Sequence, residues 1–93
     1  LVALGNLYFD LGYFNKDNGR FQKAREFYEK ALAQRPSDVD VRTDYGLTYF
    51  LENPPQNEKA IAEFQKSLNE NPKHEKTLQF LTQAFLKTGK KME

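Results

Sequence analysis

Laid against itself at a shift of 36 residues, the chain meets its own pattern. Ala24 falls on Ala60, Tyr28 on Phe64, Ala31 on Ser67, Leu32 on Leu68 and Pro36 on Pro72. Further along, Tyr45 falls on Leu81, Gly46 on Thr82, Tyr49 on Phe85 and Asn53 on Gly89. Small residues face small ones and large apolar residues face large ones. A repeat of this length constrains the fold strongly, because one unit cannot bury its apolar face alone and must stack on a neighbour.

The repeating segments read as helices. Phe21, Ala24, Phe27, Tyr28, Ala31 and Leu32 make an i, i+3, i+4, i+7 stripe, and Ala60, Ile61, Phe64 and Leu68 make the same stripe again. Glu26 and Lys30 form a favourable i, i+4 pair on the polar face. Ser37-Asp38 is placed to cap the next helix, Pro54-Pro55 ends it, and Asn57 reads as the following cap. Pro72 separates the fourth helix from the fifth, and no convincing run alternates with the period of a strand. The expectation is an all-α chain of five helices, arranged as antiparallel hairpins stacked side by side. Ala24, Ala31, Gly46 and Ala60 would let helix axes approach closely, with Tyr28, Tyr49, Phe64 and Phe85 filling the gaps.

Tyr45-Gly46-x-x-Tyr49, Ala60-x-x-x-Phe64 and Pro72 resemble the tetratricopeptide repeat (TPR) family. Ala24-x-x-x-Tyr28-x-x-Ala31 with Pro36, and Leu78-x-x-Leu81-Thr82-x-x-Phe85, resemble it again, in phase. The resemblance covers nearly the whole chain. It implies a right-handed superhelix of antiparallel helix hairpins whose first helices line a concave groove, and a protein-binding role. It divides one domain, residues 1–93, into a first repeat over 1–36, a second over 37–72 and a capping or truncated third over 73–93. The family's repeat is two residues shorter than the 36 found here, and Pro54-Pro55 is the natural place for the excess.

The first unit admits two registers. Gly5-x-x-Tyr8-Phe9 matches Gly46-x-x-Tyr49-Phe50 with a seven-residue insertion before Arg20, whereas Leu11-Gly12 matches Tyr45-Gly46 without one. Seven residues are close to two helical turns, so both keep the same face inward. One long first helix is expected, about Val2 to Asp17. Gly19 would be its C-terminal glycine, and Gly12 an interior glycine costing about 1 kcal/mol against alanine.

Chemistry is sparse. A lone His74 after Pro72 reads as a solvated turn residue without a catalytic partner. The chain has no cysteine, no phosphate-binding glycine loop and no histidine cluster for zinc. Asp38 and Asp40 suit a helix start better than a calcium loop. No enzyme activity, cofactor or metal is therefore expected. Net charge is +1 with both signs interspersed, which argues against nucleic acid and against a polybasic membrane patch. No apolar run is long enough to insert in a membrane. Leu1 stands inside a helical pattern, so the chain reads as part of a longer protein. Nothing identifies a compartment beyond a slight preference for the cytoplasm.

The resemblance aims first-helix residues into the groove. These are Val2, Asn6, Phe9, Asp10 and Tyr13 in the first helix, and Thr43, Asp44, Leu47, Phe50 and Leu51 in the third. In the fifth they are Lys76, Gln79, Phe80, Gln83 and Lys87. Some TPR modules clamp the carboxylate of chaperone tails there. Asn6 and Lys76 match that clamp, but Val2, Asp44 and Phe80 do not, and Asp44 would repel a carboxylate. The expected function is a protein-interaction scaffold that binds a peptide or helix, with Phe9, Leu47, Phe50 and Phe80 exposed as anchors. The alternative is a structural module that self-associates through its end helices, chiefly the fifth.

Overall fold

The computed structural model describes residues 1–89 and contains α1 (Val2–Asn15), α2 (Asn18–Gln34), α3 (Val39–Phe50), α4 (Asn57–Glu70) and α5 (Glu75–Thr88). No strand occurs among the described residues. Each helix packs on the next in chain order, and α3 also packs on α5, as stacked hairpins require. The starts follow from local chemistry. The Asp17 carboxylate accepts the Gly19 N–H at 2.9 Å to open α2, and Asp38 accepts the Val41 N–H at 3.2 Å to open α3. Asn57 is not the cap of α4. It is the first helical residue, Gln56 precedes it, and its buried Oδ1 has no hydrogen-bond partner among the described residues. α3 ends at Phe50, before Asn53 and the cis Asn53-Pro54 bond.

Two apolar clusters form the core. One gathers Ala24, Tyr28, Leu32 and Val41 between α2 and α3; the other gathers Leu47, Phe50, Ala60, Ile61, Phe64, Leu81 and Ala84 across α3, α4 and α5. Phe9 packs against both. Gly46 explains the closeness of α3 and α4: a Cβ there would lie 2.7 Å from the Phe64 ring. A Cβ on Gly5 would lie 2.6 Å from the Tyr28 ring. Gly5 is thus the counterpart of Gly46, which settles the register in favour of the seven-residue insertion.

The insertion is shared between both helices, contrary to the expectation of a single lengthened α1. α1 runs ten residues past Gly5 to Asn15, whereas α3 runs only four past Gly46 to Phe50. α2 begins six residues before Ala24, whereas α4 begins three before Ala60. Gly19 does not end α1. Lys16 does, in the left-handed conformation at φ 52°, with the Asp17 N–H bonded to the Gly12 carbonyl at 3.0 Å. A non-glycine residue pays about 1–2 kcal/mol for that conformation. Gly12 is interior to the helix, as expected, but is no mere defect. A Cβ there would sit 3.1 Å from the Phe21 ring, so the glycine–aromatic device of Gly5 and Tyr28 recurs two turns further out.

A polar clasp joins the hairpins. Arg25 on α2 donates to Glu52 at 2.7 Å and to Thr48 at 3.3 Å, with its guanidinium 4.4 Å from the Tyr49 ring centroid. Glu52 also accepts from Gln56. On the other side, Arg42 pairs with Glu63 at 2.8 Å.

Candidate functional site: a groove along the first helices

α1, α3 and α5 border two adjoining hollows that share Phe9, Asp10 and Lys76. The polar one, of about 280 Å³, adds Asn6, Tyr28 and Asp44. The apolar one, of about 420 Å³, adds Tyr13, Phe14, Leu47, Leu51 and Phe80. Eight of the twelve residues assigned to the groove from sequence meet here: Asn6, Phe9, Asp10, Tyr13, Asp44, Leu47, Lys76 and Phe80.

Four do not line it. Thr43 is fully buried and shares a 2.7 Å hydrogen bond with Thr77, so its hydroxyl holds α3 to α5. Phe50 is 3% exposed, wedged edge-on against Phe64 and Phe80, with the Lys87 ammonium 4.6 Å over its ring. It is core, not an exposed anchor. Leu47 is equally buried and contributes only wall surface. Gln79 is exposed and Gln83 half-buried, and both lie outside these hollows. Of the residues named beyond that set, Val2 borders a separate hollow with Arg35 and Asp38, while Leu51 does join the groove.

Phe14 is the lining residue that sequence reading left out of the site. It is 78% exposed and stacks edge-on with Tyr13 at 5.4 Å. Its i+4 spacing from Asp10 was the available signal. His74 is not a free turn residue either. Its Nε2 lies 2.8 Å from Asp40 and its Nδ1 2.6 Å from the Thr77 hydroxyl, tying the α5 start to α3.

The electrostatics oppose a carboxylate clamp. The Lys76 ammonium is already paired with Asp44 at 2.8 Å, and Asp10 adds further negative charge beside it. Asn6 accepts the Tyr28 hydroxyl proton at 2.7 Å. Burial, reinforced by Asp44 and Asp10, pushes the Tyr28 phenol well above its ordinary value. Burial likewise raises Tyr45, whose hydroxyl donates to Glu29 at 2.6 Å. An acid whose folded pKa is raised contributes stability below its unfolded pKa, and loses it as pH rises toward the folded value. Stability measured by urea unfolding is therefore expected to fall above about pH 10, the ordinary tyrosine range. Tyr28→Phe with Tyr45→Phe should flatten that decline; an unchanged decline would assign it to other groups.

Residues 5–48 match the family model described as tetratricopeptide repeat. That match, over just under half of the chain, and the five-helix hairpin fold support assignment to the tetratricopeptide repeat family. No curated protein and no solved structure matches it. Repeats of this family generally mediate protein–protein interactions and are typically non-catalytic. No helix among the described residues is long and apolar enough to cross a membrane.

Proposed function

We propose that this chain is a non-catalytic scaffold that holds a partner's peptide or short helix in the groove along α1, α3 and α5. The exposed aromatic pair Tyr13 and Phe14, facing half-buried Phe80 across one apolar hollow, carries the reading. Exposed apolar surface grouped in this way marks partner sites, and aromatic anchors dominate binding energy. Nucleic acid is a poor fit, because Asp10 and Asp44 sit in the same groove. A random peptide library displayed on phage tests the proposal. Selected peptides should lose tenfold or more in affinity with Phe14→Ala and Phe80→Ala together, in line with losses above ~1.4 kcal/mol at hot spots, while the helical circular dichroism is retained. Undiminished affinity would refute the groove.

A second reading, self-association through the end helices, has one observation in its favour. Leu4, Leu7 and Phe14 are exposed along one stripe of α1, with half-buried Leu11 between them. On α5 the exposed large apolar residues are only Leu78 and Leu86. The bare face is therefore chiefly on the first helix, not the fifth. A monomer in light scattering at high concentration would remove this reading.

A further inference from the structure

The lengthened first hairpin creates a further hollow that the second hairpin lacks the length to form. It measures about 470 Å³, within the ~300–1,000 Å³ usual for ligand pockets. Tyr13, Phe14, Phe21 and Leu51 wall it. Asn18 fixes the far side: its amide donates to the Asn53 carbonyl at 2.7 Å and its oxygen accepts the Asn53 N–H at 3.0 Å. That exchange engages the Asn18 amide on both sides and leaves Lys16 as the charged side chain on the lining.

Lys16 forms no ion pair among the described residues. The two acids next in sequence to lining residues are committed elsewhere: Asp17 to the α2 cap and to Arg20 at 3.6 Å, Glu52 to Arg25 and Gln56. Lys87, in the last turn of α5, also lacks a carboxylate partner among the described residues and lies over Phe50. The lining of this hollow is thus apolar with one cationic side chain, Lys16, whereas the polar hollow carries Asp10 and Asp44 against Lys76 alone.

From that complementarity we infer that the hollow is a pocket for one bulky apolar side chain of an acidic peptide, flanked by aspartate or glutamate that meets Lys16. The pocket adds an anchor to the interaction surface proposed above and rests on that reading. It also sets polarity: the acidic stretch of the partner lies toward the hairpin tip, away from Asp10.

The test is a titration of the isotope-labelled chain, followed by NMR, with the blocked pentapeptide Glu-Glu-Phe-Glu-Glu. Saturable shifts at the amides of Lys16, Asn18 and Asn53 are expected, with little response to Glu-Glu-Ala-Glu-Glu or Lys-Lys-Phe-Lys-Lys. Lys16→Gln should weaken binding by about fivefold, the scale of an exposed ion pair, and Lys16→Arg should retain it. Three outcomes would overturn the pocket: equal response to the lysine peptide, an unaffected Lys16→Gln variant, or octanoate binding as well as the peptide. Shifts confined to residues 10, 44 and 76 would also overturn it while leaving the groove standing.

Discussion

Glu52→Ala is expected to cost about 3–5 kcal/mol, a large share of the ~5–15 kcal/mol that holds a small domain folded. Glu52 and Arg25 are 6% and 8% exposed, and Glu52, at 2.7 Å, is the guanidinium's only ionic partner among the described residues. Removing the carboxylate strands a positive charge between α2 and α3. Coulomb attraction and desolvation nearly cancel in such a pair, so the damage comes from breaking it, not from lacking it. Arg25→Met combined with Glu52→Leu should therefore recover most of the loss, since both changes remove the buried charges and the Met thioether can fill space beside the Tyr49 ring where the guanidinium lay. Urea unfolding followed by helical circular dichroism measures both. A loss below about 1 kcal/mol for the single change would mean that the pair behaves as an exposed one.

Phe64→Ala should cost a comparable 3–5 kcal/mol, because the ring is fully buried and its neighbours cannot collapse into the space. The informative variant is the double one. Gly46→Ala alone forces a Cβ to within 2.7 Å of that ring and should cost about 1–3 kcal/mol. Once the ring is gone, the same methyl enters a cavity, so Gly46→Ala should become neutral or stabilising in the Phe64→Ala background. Additive losses would show that the glycine matters for the helix backbone and not for the approach of α3 to α4.

Much of this was legible because the repeat ties each position to a copy. Ala24 and Ala60, Tyr28 and Phe64 carry equivalent packing roles, so the inward faces of α2 and α4 followed from spacing alone. What failed did so for identifiable reasons. Helical phase places Thr43 and Phe50 on the groove side, but phase does not report depth, and α5 covers both. Gly19 looked like a helix stop because glycine is the usual left-handed residue, yet Lys16 takes that conformation. The Asp17 carboxylate, used as a cap, makes Gly19 part of the next helix. His74 looked isolated because Asp40 lies 34 residues away in sequence.

Phe9 has a consequence for how the chain comes apart. Repeat proteins are commonly treated as beads whose units melt with some independence, governed by the strength of each junction. Here one ring packs against both apolar clusters, and the Arg25–Glu52 clasp spans the same junction. Opening the first hairpin therefore uncovers the second, and the two hairpins are expected to unfold as a single thermodynamic unit.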